Sequence, residues 1–183
     1  MISQDQETDP KIRRQKIVKC ATQAFDIVLK PNGFKRIGGN WFRTLNELIH
    51  VVNIQRSPWG NEFYVNIGVR FSQIIGLIEA KNPLQPKEYE CQVRGRMSYR
   101  TEHNDYIQLE RACQYNSDLS EPVRAGIFKE AIETIGIPFL THFENITNAK
   151  AAIEKPPPEI SAMITRDVFE YYGLKPKQRD ILQ

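Results

Sequence analysis

The sequence predicts an α+β protein: an antiparallel sheet of four or five strands, a helix before it, and C-terminal helices packed on one face. Two observations support this fold class. Runs of alternating apolar residues, typical of strands, concentrate between residues 40 and 99, and apolar residues at helical spacing lie before and after them. Strands clustered early and helices clustered late favour α+β over an alternating parallel fold.

Length and composition indicate one domain with short additions. The chain has 183 residues, of which 40% are hydrophobic and 26% charged, so it is long enough to bury a core. We expect a flexible acidic tail over residues 1–9, a single α+β domain over 10–155, and a proline hinge with a C-terminal helix over 156–183. The hinge is predicted from "KPPPE", through which no helix can run.

The first helix begins at Asp9-Pro10, a capping residue followed by a residue suited to the first helical turn. It ends in "KPNGF", where proline and glycine stop it. Its first half is crowded with basic side chains, among them Arg13, Arg14, Lys16 and Lys19.

Strands are predicted over residues 40–44, 48–56, 63–71 and 90–99, with a weaker one in "DYIQLERA". After them, Ser120 is expected to cap a helix that ends near "GIP", and Thr147 to cap a further one. A last helix is expected over 159–172, stopping at Gly173.

Residues 48–71 read as a hairpin that folds about Trp59 and Gly60, which places Asn53 opposite Asn66. In this register the branched aliphatic side chains share the core face, and the asparagines share the other face. Asparagine is depleted in strands, so two of them side by side need a reason.

One reason is a binding surface on the polar face of the sheet. Amides, a phenol and guanidiniums would suit a carboxylate, a phosphate or acidic side chains, and Gly68 would leave an opening for another chain. The alternative is that the asparagines bond to each other and to a covering loop or helix. The candidate partner-binding residues are Asn53, Gln55, Trp59, Tyr64, Asn66, Arg70, Arg94 and Arg96.

Alternation through residues 90–99 places Cys91 on the core side of its strand. His50 falls on the core face of the hairpin, where a lone histidine is usually a hydrogen-bonded structural residue, although a Cys91–His50 pair is conceivable. The cluster "TEHND", with Glu102, His103 and Asp105, is the one tight acid–imidazole group, and a polar turn explains it more simply.

No phosphate-binding glycine loop, metal-spaced Cys/His cluster or nucleophile elbow occurs, so no cofactor or metal is expected. No apolar run is long enough to span a bilayer, no signal peptide is evident, and three dispersed cysteines argue against a disulfide framework. We therefore expect a cytoplasmic protein with no membrane association.

The segment from Phe25 to about Arg96 resembles a bacterial family, domain of unknown function 4304. The resemblance rests on Gly33-Phe34-Lys35, on Phe42-Arg43, on the hydrophobic strand ending at Gln55, and on Asn66-Ile67-Gly68. It implies a small bacterial α+β protein. The family has no established activity, so it implies no catalytic residue.

The preferred function is a non-catalytic interaction protein of the bacterial cytosol that binds an unidentified protein partner through the polar sheet face. An immunity or antitoxin-like role is one version, by analogy alone. The first alternative is a nucleic-acid-associated module, because residues 11–70 carry eleven basic and three acidic side chains. It would use the cationic first helix with the sheet arginines. The second alternative is a small hydrolase-type enzyme of unknown substrate.

Overall fold

A computed structural model describes residues 9–58, 60–74, 80–97 and 104–176, the side chains of 104–107 excepted. The helices are α1 (Pro10–Leu29), α2 (Asn104–Cys113), α3 (Glu121–Ala131), α4 (Ile137–Thr141), α5 (Ile146–Glu154) and α6 (Arg166–Tyr172), with a 3₁₀ turn at Glu88–Glu90 and a π-helical turn at Ile132–Gly136. The strands are β1 (Lys35–Ile37), β2 (Asn40–Leu45), β3 (Leu48–Arg56), β4 (Phe63–Phe71), β5 (Val93–Arg96) and β6 (Ala162–Ile164).

The strands form one antiparallel sheet in the order β1-β2-β3-β4-β5-β6. The α+β class with an antiparallel sheet is confirmed, but the prediction of four or five strands is wrong, because the sheet has six. The two additional strands, β1 and β6, are three-residue edge strands. Three residues are too few to display an alternating pattern, so only their pairing to a neighbour defines them.

The register predicted for the central hairpin is confirmed. Leu48 pairs with Phe71, Asn53 with Asn66, and Arg56 with Phe63. Val52, Val65, Ile67 and Val69 join the main core on one face of the sheet, whereas Ile49 and Val51 lie on the other face. Helix α1 closes that face, where the ring of Phe25 packs edge-on against Trp41 at 5.5 Å between centroids.

The weak strand predicted in "DYIQLERA" is wrong, because this segment lies in helix α2. Ile107 and Leu109 are two residues apart, a spacing that also fits a short strand. The helix ends where Arg124 of α3 reaches across to the carbonyls of Ala112 and Gln114. That stabilising contact comes from outside the segment.

The helix after Ser120 does not end near "GIP". It continues from α3 through the π-helical turn into α4, and this turn directly precedes Ile137-Pro138, so the departure from α-helical hydrogen bonding lies where proline has no N–H to donate. The next helix, α5, is capped by Asn145 rather than Thr147: its Oδ1 accepts from the N–H of Asn148 at 2.9 Å.

The last segment departs from the predicted single helix over 159–172. Residues 162–164 instead pair with β5, and only then does α6 begin, at Arg166. Its end at Gly173, in the left-handed conformation with φ +66°, is as predicted. Among the described residues no helix combines the length and apolar character required to cross a membrane.

His50 is fully buried on the core face, as predicted for a structural histidine. Its Nε2 lies 2.8 Å from the carbonyl oxygen of Phe143, and its Nδ1 lies 3.1 Å from Nη2 of Arg43. A carbonyl can only accept and a guanidinium can only donate, so Nε2 carries the proton and the ring is neutral. Burial lowers the pKa of His50, the hydrogen bond to Phe143 raises it, and the charge of Arg43 lowers it, with a net pKa of about 4.

Candidate functional site

The face of the sheet opposite the main core carries the predicted polar side chains. Pairing of β3 with β4 and of β4 with β5 places Asn53, Asn66 and Arg96 in one row across three strands. The next rows contain Gln55 opposite Tyr64, and Gly68 opposite Arg94. We call this surface the polar face and define it by Asn40, Asn53, Gln55, Tyr64, Asn66, Gly68, Arg70, Arg94 and Arg96.

The amides of the polar face form a hydrogen-bonded ladder. Nδ2 of Asn53 donates to Oδ1 of Asn40 at 2.7 Å, and Nδ2 of Asn66 donates to Oε1 of Gln55 at 2.7 Å and to Oδ1 of Asn53 at 3.3 Å. Asn66, at the centre, is only 4% exposed. The two central asparagines therefore bond to each other, which is one part of the alternative interpretation, and their other bonds shown here are to amides of the sheet rather than to a covering loop or helix.

One half of this face is covered by the segment that carries the 3₁₀ turn. Nη1 of Arg70 donates to the carbonyl oxygen of Glu90 at 2.7 Å, and Arg70 is 9% exposed. A Cβ on Gly68 would meet Sγ of Cys91 at 2.7 Å. The prediction that Gly68 leaves an opening is therefore wrong, because the chain's own residues 88–91 occupy that space. The same residues contact Arg70, and its proposed role in partner binding stays a prediction.

Cys91 lies on the polar side of the sheet, not on the core side. There it joins a small apolar cluster with Ile49 and Val51 under the 3₁₀ turn. The alternation that places Cys91 toward the core holds only from Val93 onward, where β5 begins. Cys91 and His50 are consequently on opposite faces of the sheet, and no Cys91–His50 pair exists.

The other half of the polar face is open, and contacts with neighbouring residues fix the positions of its two arginines, Arg94 and Arg96. The guanidinium carbon of Arg96 lies 3.6 Å from the ring centroid of Tyr64, whose hydroxyl donates to Oε1 of Glu62 at 2.8 Å. Nη1 of Arg94 donates to the carbonyl oxygen of Tyr89 at 2.6 Å. Both arginines are half-buried, and Gln55 beside them is exposed.

Two members of this site escape prediction from the sequence. The half-buried Glu88 faces the two sheet arginines; burial raises the pKa of its carboxyl, which Arg94 and Arg96 lower in turn. Glu88 lies in a turn with no pattern to mark it. Asn40 is the last residue of the ladder. Its position at the start of a predicted strand would have indicated its role only after β2 and β3 were paired, which places it opposite Asn53.

Three predicted residues fall outside what the structure describes. Trp59, at the hairpin tip, is one of them, and Glu102 and His103 of the acid–imidazole cluster are the others. Asp105 lies in helix α2, but its side chain is not described. The predictions made for these residues stay predictions.

The cations of α1 lie on the helical side of the sheet, away from the polar face. Nη2 of Arg13 donates to the carbonyl oxygen of Ser117 at 2.8 Å, and the guanidinium of Arg14 lies over the ring of Tyr115 at 5.6 Å. Lys16 and Lys19 are exposed on the same helix. The first helix and the sheet arginines therefore lie on different sides of the sheet.

The described part of the chain places no group of three or more His, Cys, Asp or Glu side chains where they could hold a metal ion. The three cysteines are buried and free. A model of the family described as Domain of unknown function (DUF4304) matches residues 25–142. No curated protein and no solved structure matches the chain.

Proposed function

The chain belongs to the DUF4304 family, and from the geometry of its polar face we propose that it is a non-catalytic binding protein for an acidic segment of a protein partner. The contact surface is the open half of the polar face, formed by Asn53, Gln55, Tyr64, Arg94 and Arg96. Immunity-type binding proteins are one class with this kind of role, and a bacterial cytosolic setting belongs to the same proposal.

The observation that carries the proposal is the fixed position of two half-exposed guanidiniums. Arg96 is stacked on Tyr64, and Arg94 is tied to the Tyr89 carbonyl. Side chains that are ordered before binding lose less conformational entropy when a ligand arrives, so more of the interaction energy appears as affinity. Planar guanidiniums pair with carboxylates through two parallel hydrogen bonds, which gives orientation as well as attraction.

The two arginines are the groups that an acidic ligand would contact. Burial raises the pKa of the Glu88 carboxyl, and both arginines lower it. Glu62 also lies at this half of the face, where its Oε1 accepts from the Tyr64 hydroxyl. Gln55 adds a neutral donor: its Oε1 accepts from Asn66, which turns the amide so that its NH₂ is the group it can offer.

Nucleic acid remains the alternative partner. Arg13 and Arg14 are engaged with residues 115–117, so fewer of the α1 cations are arranged for phosphates than the sequence alone implies. The two partners differ in which arginines they need, and this difference can be measured.

The test uses two fluorescent probes of matched length, a Glu-rich peptide and a single-stranded oligonucleotide, with anisotropy as the readout. Arg96→Gln and Arg94→Gln are each expected to weaken peptide binding about tenfold, the loss of one charge-assisted pair. Lys129→Gln, an exposed cation on α3 away from the sheet, is the matched control and should bind as the wild type.

Equal peptide binding by the wild type and by Arg94→Gln and Arg96→Gln would contradict the proposal. Tighter binding of the oligonucleotide, lost in Arg13→Gln and kept in Arg96→Gln, would establish the alternative. The thermal midpoint of each variant should stay close to that of the wild type, since the substituted side chains are not in the core.

A further inference from the structure

A second cationic site lies on the helical side of the sheet, where α1 meets the start of α3. A cavity of about 220 Å³ opens there, several times the volume of about 30 Å³ that a water molecule occupies in the liquid. Its described lining includes the cations Arg13, Lys16 and Arg124, the carboxylate of Glu121, and the apolar Ile12 and Leu119. Three cations and one carboxylate thus line the described part of the cavity.

Arg124 is unusual because its charge is buried. It is 2% exposed, and its guanidinium donates to backbone oxygens at the end of α2 and to Oγ of Ser117 at 2.8 Å. Within the described parts of the chain no carboxylate forms an ion pair with Arg124 or with Arg13. A buried cation is normally balanced by an anion, because desolvation of an isolated charge is costly.

The two arginines also converge on one acceptor. Nη2 of Arg13 lies 2.8 Å from the carbonyl oxygen of Ser117, and Nη2 of Arg124 lies 3.4 Å from the same oxygen. Like charges this close repel, and Arg13 indeed lowers the pKa of Arg124, after the larger effect of burial. An anion in the adjoining cavity would offset this repulsion by its charge.

We propose that the cavity between α1 and α3 binds a small tetrahedral oxyanion, such as the phosphate group of a phosphorylated ligand. Arg13 and Lys16 would contact the oxyanion, and Arg124, whose Nη groups already donate within the chain, would contribute its buried positive charge. The apolar side chains of Ile12 and Leu119 form the wall that would contact the rest of such a ligand. Glu121 at the same cavity repels the anion and limits its affinity. This site is independent of the polar face, so either proposal can fail without the other.

The test is calorimetric titration of the full chain with inorganic phosphate, with sodium chloride used to keep the ionic strength constant. The wild type should bind one phosphate saturably at millimolar concentration. Arg13→Gln should weaken that binding about tenfold, and Glu121→Gln should tighten it. Lys19→Gln is the matched control, because Lys19 is exposed on the same helix but does not line the cavity.

Three results would overturn the proposal: no saturable binding by the wild type, the same loss in Arg13→Gln and Lys19→Gln, or an affinity that neither Arg13→Gln nor Glu121→Gln changes. Arg13 is exposed, so its substitution should leave the thermal midpoint in chloride nearly unchanged. Addition of phosphate should raise the midpoint of the wild type more than that of Arg13→Gln, as expected for a ligand that binds only the folded state.

Discussion

Sγ of Cys91 lies directly above Gly68, 2.7 Å from where a Cβ on that glycine would stand. The main-chain oxygen of Glu88 is 3.5 Å from the same point. Because Gly68 has no side chain, residues 88–91 can lie close against the sheet. These residues cover half of the polar face.

Gly68→Ala should destabilise the fold by about 1–3 kcal/mol, the usual cost of overpacking a closed site. Gly126→Ala is the control: no described atom comes within 4 Å of its new Cβ, and alanine favours a helix interior, so a gain of about 0.5–1 kcal/mol is expected. Urea unfolding measures both. Similar changes in the two variants would show that the contact with Cys91 is not tight.

Protonation of His50 should make stability fall with acid. The pKa of His50 is about 4 in the folded chain against 6.5 in the unfolded one. Between these pH values the unfolded chain binds a proton that the folded chain does not, so stability drops as pH falls from about 6.5 to about 4, by about 3 kcal/mol in all, and levels off below.

The measurement is the free energy of unfolding against pH, by urea titration at several pH values. His50→Gln removes the titrating group but keeps an amide that can donate to Phe143 and accept from Arg43. Its curve should be flatter across this window, whatever its absolute stability. Parallel curves for the two proteins would assign the acid sensitivity to other groups.

The direction of the amide ladder gives a paired test. Asn66 is a donor to Asn53 and Gln55, so Asn66→Asp loses both hydrogen bonds and places a buried carboxylate beside two oxygens. A loss of about 2–3 kcal/mol is expected at neutral pH. Asn40 is the acceptor from Asn53, and Asn40→Asp keeps that acceptor. Thermal unfolding should find Asn40→Asp close to the wild type, and equal losses in both variants would contradict the ladder.

Arg124 stabilises the end of α2 with a set of bonds that lysine cannot reproduce. It reaches the carbonyls of Ala112 and Gln114 and the hydroxyl of Ser117 together. Arg124→Lys should therefore cost at least about 2 kcal/mol, because buried acceptors lose their donors. Arg166→Lys replaces an exposed arginine paired with Glu170 at 3.0 Å and should change stability by less than about 0.5 kcal/mol. Guanidinium unfolding curves distinguish the two.

The parts of the fold that follow from side-chain alternation were predictable. Only one register of the hairpin places apolar side chains on the core side, since a shift of one residue would bury Asn53 and Asn66 against the helices. That constraint yields both the register and the shared face of the polar side chains.

The parts that depend on contacts distant in sequence were not predictable. Helix α2 ends on Arg124, and β6 is a strand only because β5 lies beside it. The cover over Arg70 comes from residues 88–91, where a 3₁₀ turn precedes the strand although the alternation predicts a strand from residue 90. The sequence therefore predicts an open surface around Gly68 and Arg70, whereas the turn at residues 88–91 covers it.

The return of residues 162–164 to the sheet has a consequence for shortened forms of the protein. Their pairing occupies the outer edge of Val93–Arg96, together with the bond from the N–H of Thr165 to the oxygen of Gln92 at 2.9 Å. A truncation at the proline run would remove β6 and leave the backbone N–H and C=O groups at this edge of β5 without hydrogen-bond partners, beside an apolar core. Such an edge recruits strands from other molecules, so the cut protein should self-associate and precipitate rather than remain a smaller version of the same domain.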